Sequence, residues 1–566
     1  MEERSSLPRL LLFAVAVFLF VTYGLPAITG KATKSDVQPL GRADDTAAPG
    51  EPRAEELCAV TGPRFQATLT SKGGSLRGFL PTDGKYLERQ GGHASDLVTT
   101  TLPSRLPLRT DLRLPPAGGE APEQVAYDDL DWKLESSAPT RCVFRYEDDA
   151  TAATKTIATT ERPFELELTM SVTNKAKEAR AHRLTVENAE WFRGADTKSS
   201  WQRQSEYQTQ VEVHAADKMT RWGIEDFEPK DFEDEGFTAE KWRETKGDAA
   251  LVAVSTSYFS KVLVPLEGAK AKGETLVEEI WNRTQFADKE KDPQFGHTYR
   301  ARLNYGARTL AAGETATYRV LSFTGPKERE VLATVGGGGH PTTEVLNLGT
   351  FGAIGKLLIR YLYFLHGLVA SWGWAICLLT ITVKVLLFPL SIAQIKSTVA
   401  MRKLKPEMDA INAKYKDDAQ QRGLALQELW RKNQVANPML GCLPVLLQMP
   451  VWWALYTSLQ TAVELYHTPF GPFVPDLSAP GKYFIIPALL GVSSFLQQQL
   501  MPMQGDPMQQ RMMKWMMPTI FTVMMLFLPA GLGIYFLTNT WLGIVQQVAV
   551  ERYYKTQESS GEPTPA

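Results

Sequence analysis

From residue 367 to residue 547 the chain carries apolar runs of the length that crosses a bilayer, and this constrains its fold more than any other feature. Residues 367–390, 440–463 and 483–500 each approach the ~20 residues that a helical span needs. The run 512–547 is too long for one crossing, and Pro529-Ala530-Gly531 divides it into two joined by a tight turn. At the other end, Arg4 and Arg9 precede the uncharged stretch 10–25 (LLLFAVAVFLFVTYGL). A cleaved signal peptide would share that basic start and apolar core. No A-x-A-like site closes the run, however, so residues 1–29 read as an uncleaved anchor. The count comes to six spans.

The basic residues orient them. The loop 391–438 holds Lys396, Arg402, Lys403, Lys405, Lys414, Lys416, Arg422, Arg431 and Lys432. Loop 501–514 adds Arg511 and Lys514, and the tail 551–566 adds Arg552 and Lys555, whereas the loop 466–482 has only Lys482. With both termini cytoplasmic, every basic loop lies inside and the segment 56–340 lies outside.

That outer segment has a different texture. Residues 30–55 are rich in Ala, Asp, Gly, Pro and Lys and read as a flexible linker. From 56 to 340, short alternating runs follow one another: in residues 164–172 (FELELTMSV) every apolar side chain falls on one face of a strand. Residues 211–213, 251–254, 262–264 and 318–321 repeat the pattern, with turn signals at 72–74, 81–84 and 312–313. Many short strands with regular turns predict an all-β sandwich. Gly336 to Gly339 would close it as a flexible joint.

Composition narrows the chemistry. Lys and Arg total 61 against 63 Asp and Glu, so bulk charge gives no sign of a DNA partner. Four cysteines exclude a disulfide-dense scaffold; Cys58 and Cys142 either pair or are two unrelated buried thiols. The seven histidines are scattered, H-E-x-x-H does not occur, and no Gly-Lys is followed by Ser or Thr, so no metal site or nucleotide cofactor is indicated.

Within 346–366, Phe351, Ile354, Leu358, Tyr361 and Leu365 recur at helical spacing around Lys356 and Arg360. The pattern suits an amphipathic helix in the membrane interface, ahead of the alternative of a helix packed on the sandwich. In the basic loop, Leu404, Met408, Ile411 and Tyr415, then Leu426, Leu429 and Trp430, predict an antiparallel helical hairpin over 396–434. Its basic face would bind lipid headgroups, ribosomal RNA or a protein, or serve only as a solvated face.

One residue carries chemistry. Lys384 interrupts an apolar span, at a cost of roughly 2.5–3.5 kcal/mol on insertion scales. The ten residues to Gln394 amount to about 15 Å of helix, further than a lysine stem snorkels. A wet cavity is the better explanation, with Thr380, Thr382, Gln448 and Asn539 as polar groups at compatible depths that either line it or merely glue helices together. Thirteen of the sixteen methionines follow residue 400. Met516, Met517, Met524 and Met525 give a soft, repackable surface of the kind promiscuous binders use, although ordinary lipid-facing or core methionines would look the same.

The segments VKVLLFPL (383–390), NPMLGCLPVLLQMPVWWALY (437–456), DPMQQRMMKWMMPTIFT (506–522) and PAGLGIYFLTN (529–539) closely resemble the YidC branch of the YidC/Oxa/Alb membrane protein insertases. The resemblance is specific from about 346 to 550 and weak across the sandwich. It implies an insertase and chaperone of the bacterial inner membrane without nucleotide or metal, working alone or beside the Sec translocon on nascent membrane proteins, with the ribosome as a further partner. It implies a five-span core over 367–550 whose groove opens to cytoplasm and lipid. The family's groove cation is usually Arg, and Lys384 keeps its charge but loses the guanidinium fork. Substrate contacts would fall on Trp452, Met524 and Phe536, with Thr380 in the groove. Phe536 is often Tyr in relatives, so a hydroxyl contact is lost there. The outer domain would be a mutarotase-like β-supersandwich without evident enzymatic activity.

Two other classes remain at this level. A transporter or channel would also carry an intramembrane lysine, but should show paired repeats with interrupted helices. An envelope carbohydrate-binding protein or enzyme would place clustered His and carboxylates on the sandwich.

Overall fold

The computed structural model describes residues 54–86, 96–100, 105–113, 132–194, 209–227, 242–267, 270–282, 285–349, 351–415, 418–433, 443–481, 484–500 and 507–560. The anchor 1–29 and nearly all of the linker 30–55 lie outside the described residues.

Strands are numbered in chain order. A nine-stranded antiparallel sheet runs β11 (Lys218–Trp222), β10 (Gln210–Ala215), β13 (Ala249–Ser255), β14 (Phe259–Glu267), β18 (Thr315–Pro326), β8 (Glu165–Asn174), β7 (Thr151–Thr159), β6 (Arg141–Glu147), β5 (Lys133–Ala138). A second sheet runs β12 (Arg243–Glu244), β15 (Ala271–Ile280), β16 (Gly296–Tyr305), β9 (Arg180–Arg193), β17 (Arg308–Leu310), and β4 (Arg109–Arg113) also pairs with β9. β10 and β13 of the first sheet pack over β15 and β16 of the second. A three-stranded sheet, β1 (Leu57–Gly62), β2 (Phe65–Thr70) and β3 (Ser75–Pro81), closes one end, and a Cys58–Cys142 disulfide ties β1 to β6. The chain is therefore an all-β sandwich here, joined to a helical region.

Alternation explains the core. In β8, Leu166, Leu168, Met170 and Val172 are buried while Glu167, Thr169 and Ser171 are half-exposed. In β13, Leu251 through Val254 are all buried, because the far side of the sheet is covered too. The cover is helix α1 (Arg329–Thr334) with the turn Val335–Gly337 after it and the turn Pro341–Val345, whose Leu332, Val335 and Val345 join the core.

That cover corrects the reading of the glycine run as a flexible joint closing the domain. Gly336 to Gly339 all take left-handed φ between 63° and 89°, and Gly336 N donates to Glu165 Oε2 at 2.9 Å. Only glycine adopts such a run without strain, so the four residues build an ordered turn within the domain.

The helical region contains α2 (Gly352–Val369), α3 (Trp372–Leu386), α4 (Phe388–Lys414), α5 (Ala419–Lys432), α6 (Leu443–Gln460), α7 (Ile485–Leu500), α8 (Pro507–Met525) and α9 (Ala530–Ser560). α2 packs its Leu358, Leu362 and Leu365 into the bundle core, beside Ala375, Ile376, Leu379, Leu455 and Leu459. Its amphipathic face is thus turned to neighbouring helices rather than to the sandwich, while Leu357, Phe364 and Leu368 remain exposed beside Lys356 and Arg360. α4 and α5 pair through Leu404, Met408 and Leu429, and Asp418 caps α5 by accepting from Gln420 N and Gln421 N.

Among the described residues, no helix is long and apolar enough to cross a membrane. α3 has 15 residues and α7 has 16, short of the ~20 of a full span, and α6 carries Gln448 and an internal Pro450. The 367–390 segment is divided by Ala370 in a left-handed conformation and again at Leu387.

Candidate functional site

The bundle is assembled by close approach at small residues. A Cβ on Gly491 would meet Thr522 Oγ1 at 2.4 Å, and one on Gly533 would meet Ile486 Cγ2 at 2.6 Å. At these glycines the backbone of α7 takes a side chain of α8, and that of α9 takes side chains of α7 and α8, with no room for a methyl between them. The third such contact defines the site. A Cβ on Gly543 of α9 would lie 2.8 Å from Gln497 Nε2 of α7 and 3.8 Å from Lys384 Nζ of α3. Three helices thus bring an ammonium and a carboxamide together over a bare stretch of backbone.

Depth is matched as well. Lys384, Gln497 and Gly543 each lie twelve residues beyond Trp372, Ile485 and Gly531 respectively, about 18 Å along each helix. Among the described residues Lys384 has no hydrogen bond or ion-pair partner, and it is half-buried. An unpaired ammonium at that depth needs water or a visiting anion.

Polar character continues along α9. Asn539, Gly543, Gln547 and Glu551 follow at four-residue intervals and share one face. Gln547 Nε2 donates to Leu500 O, the open C-terminal carbonyl of α7, at 2.7 Å and to Glu551 Oε1 at 3.1 Å. The polar stripe runs away from the sandwich.

At the sandwich end the bundle is shut. Leu465, Val474, Leu477 and Ala479 form a plug, with Ala530 N donating to Ala479 O and Gly531 N to Leu477 O, both at 2.8 Å. The site is polar and cationic in one direction and apolar in the other.

The sequence candidates distribute unevenly over this geometry. Thr380 sits one turn before Lys384, fully buried, its hydroxyl donating to Ile376 O at 2.7 Å. Asn539 is half-buried one turn from Gly543. Met524 is half-buried on α8, and Phe536 is buried on α9 against Phe521, ring centroids 6.2 Å apart. Gln448 and Trp452 stand on α6, and their side chains lie outside the described residues. Gln497 and Gly543 were missed. No signal along the apolar runs marks them: counted from the run starts at 367 and 483, Lys384 and Gln497 stand 17 and 14 residues in.

Two family models match, one described as the YidC periplasmic domain over residues 57–361 and one as the 60Kd inner membrane protein over residues 364–558. The chain belongs to the YidC family. A membrane protein insertase YidC of Anaeromyxobacter dehalogenans (strain 2CP-C) is 32% identical over 538 residues, 90% of this chain and 87% of the relative. The corresponding protein of Paraburkholderia phymatum is 38% identical over 308 residues, 54% of this chain and 52% of its own length. A crystal structure of an active YidC insertase with its first transmembrane domain resolved aligns over 88% of this chain and 92% of its own at 18% identity, with a TM-score of 0.37. Family members are inner-membrane proteins with a periplasmic domain, which here is the sandwich. The relatives are named membrane protein insertases.

Proposed function

We propose that this YidC-family insertase moves nascent hydrophobic segments into the inner membrane along the Lys384 groove, through six spans with both termini cytoplasmic. The observation that carries the reading is the unpaired Lys384 ammonium facing Gln497 across Gly543, in a bundle whose exterior is apolar. Val385, Leu386, Val492, Trp515, Ile520, Trp541 and Val545 are all exposed on that exterior. An exposed apolar belt of this kind belongs against lipid tails.

Short helices with a polar stripe suit a groove that thins the hydrocarbon path. A hydrophilic tail enters from the cytoplasmic side, where Lys384 attracts its carboxylates and the Asn539–Gly543–Gln547 face offers hydrogen bonds. The apolar segment slides past α6, α8 and α9, on the side of Trp452, Met524 and Phe536, into lipid. Burial at ~25 cal/mol per Å² supplies the drive without nucleotide. Gln448 completes the polar lining, with Thr380 buried behind Lys384, its hydroxyl bound to Ile376 O. In this reading the basic hairpin formed by α4 and α5 meets the ribosome through its lysines and arginines, and the same core works alone or beside the Sec translocon.

Site-specific photocrosslinking from Trp452, Met524 and Phe536 tests the path, in inverted vesicles synthesising a short single-span protein. Crosslinks that depend on nascent-chain length, and vanish when the apolar segment is made polar, are expected. Efficient insertion with no crosslink from any of the three would reject the sliding face.

A further inference from the structure

Among the described residues, the sandwich and the bundle meet at a buried polar junction that neither the groove nor the sandwich core uses. The loop Val463–Leu465 and the residues after it leave the bundle and pack against the sandwich. Tyr466 packs against Tyr258 and Phe259, ring centroids 5.1 and 5.7 Å away, and beside Tyr86 at 6.3 Å. Val463, Tyr86, Tyr258 and Tyr466 together form a separate buried cluster.

Hydrogen bonds tie the same loop in both directions. Toward the sandwich, Lys85 Nζ donates to Glu464 O at 3.2 Å, and the His467 ring meets Lys85 O through Nδ1 at 3.1 Å. Toward the bundle, Tyr363 Oη of α2 donates to the Glu464 carboxylate. The turn that carries Lys85 is itself braced: Tyr86 Oη donates to Glu328, which also accepts from Arg64 Nη1 at 2.9 Å and Nη2 at 2.7 Å. Burial pushes the Glu464 carboxyl up and the Lys85 ammonium down, as expected of a contact from which water is excluded.

What makes the junction more than a docking contact is where the loop goes next. Thr468 Oγ1 donates to Glu464 O, Leu477 N donates to Thr468 O, and Leu477 O in turn accepts from Gly531 N at the start of α9. One continuous hydrogen-bonded segment thus runs from the sandwich to the plug that shuts the bundle.

We infer that Tyr363, Glu464 and Lys85 form a latch through which the docked sandwich holds the plug over residues 465–479 closed. Glu464 acts as a positioning residue: its carboxylate fixes the loop to α2 while its backbone carbonyl fixes it to the sandwich. This goes beyond the insertion path, and it stands whether or not Lys384 meets substrate.

Hydrogen exchange on the full-length protein in lipid nanodiscs tests it, comparing Tyr363→Phe, Glu464→Ala and Glu464→Gln. Loss of a hydrogen bond to a buried carboxylate should speed exchange about tenfold or more. For Tyr363→Phe and Glu464→Ala that acceleration is expected in 463–468 and also in 476–481 and 530–533. Glu464→Gln, which can still accept from Tyr363, should keep most of the protection. Amides of β7 and β8, remote from the junction, are the internal control and should not change, and Tyr363→Phe, a loss of one oxygen, keeps the test open if Glu464→Ala fails to fold. Faster exchange confined to 463–468, with the plug still protected, would overturn the latch. So would unchanged exchange in both variants.

Discussion

The sandwich and the bundle bury charge in opposite ways. In the sandwich, buried ions are matched: Arg300 clasps Glu187 through Nε at 2.6 Å and Nη2 at 2.9 Å, with the two side chains only 7% and 2% exposed. Arg302 pairs with Glu274 at 2.5 Å and lies over the Trp242 ring at 3.7 Å. Lys261 meets Glu190 at 3.1 Å, and Lys155 donates to Gly73 O, Leu108 O and Thr110 Oγ1. In the bundle, Lys384 has no such match among the described residues. A paired buried ion is part of the architecture, whereas an unpaired one is a standing demand for a partner that arrives from outside.

The largest effect should come from breaking a matched pair. Arg300→Met leaves the Glu187 carboxylate buried without its main partner, a change that costs about 3–5 kcal/mol in comparable sites. Pulse proteolysis of the full-length protein across a urea series would show the sandwich midpoint falling steeply. A midpoint within error of the parent would mean that these ions are incidental, and the contrast between the regions would fail.

Next in size is a pH effect confined to the sandwich. Lys327 is buried, donating to Thr256 O at 2.8 Å, and burial pulls its ammonium down to about 8. Lys155 and Lys261 are also lowered by burial. For a lysine whose folded pKa is lowered, the unfolded chain binds more protons between the two values, so stability rises with pH there. Below about 8 the folded state carries the full penalty, and it is relieved as pH climbs toward 10.5. From pH 7 to 9.5 the Lys327 share is on the order of 2 kcal/mol. The sandwich should resist urea better at pH 9.5 than at pH 7, and Lys327→Met should flatten part of that rise. An equal rise in the variant would assign the effect to the other lysines.

How much of this the residues disclose depends on the range of the interaction. Period-two alternation exposed β8, β10, β13, β14 and β18, because each strand's burial is written in its own neighbours. The charged face of β16 was not legible: Arg300 and Arg302 alternate as a solvent face would, and only the partners Glu187 and Glu274, over a hundred and about thirty residues away, with Trp242 above them, make it an interior. The ordered glycine turn was hidden because its reason lies downstream, in Thr342 and Val345 returning to the core. In the site, Lys384 stood out as a charge in an apolar run. Gln497 did not, since a polar residue near a span's end is ordinary, and Gly543 carries no side chain to notice. Its meaning exists only once α7 and α3 are packed against it.

The comparison sharpens most when Lys384 is removed rather than reversed. Lys384→Met deletes an unmatched charge, so the bundle should lose no thermal stability, in contrast to Arg300→Met in the sandwich. Insertion of a substrate with an acidic tail should nevertheless slow by about tenfold or more, equivalent to ~1.4 kcal/mol of lost attraction. A substrate with a neutral tail should be affected much less. Scanning melts of the purified variant and an insertion time course on both tails separate the two. A bundle that melts early would make Lys384 a structural ion with an overlooked partner.

The smallest effect probes the gap itself. Gly543→Ala places a methyl 2.8 Å from Gln497 Nε2 and 3.8 Å from Lys384 Nζ. The groups displaced are the far ends of flexible side chains, not backbone, so the cost to folding should stay near ~1 kcal/mol. Its consequence is positional: the carboxamide must swing off α9, and with it goes the hydrogen-bonding surface beside the ammonium. Insertion of an acidic-tailed substrate should fall two- to threefold or so, about 0.5 kcal/mol, without the tail dependence that Lys384→Met shows, because the charge survives. Gly543→Ala combined with Gln497→Ala relieves the clash while leaving the polar partner absent. If that double variant recovers full insertion, the methyl acted only by crowding Gln497 and the carboxamide is dispensable. If it stays impaired, Gln497 is itself part of the path, and the site is a pair of polar groups set on bare helix backbone, with Lys384 supplying the charge and Gln497 the hydrogen bonds.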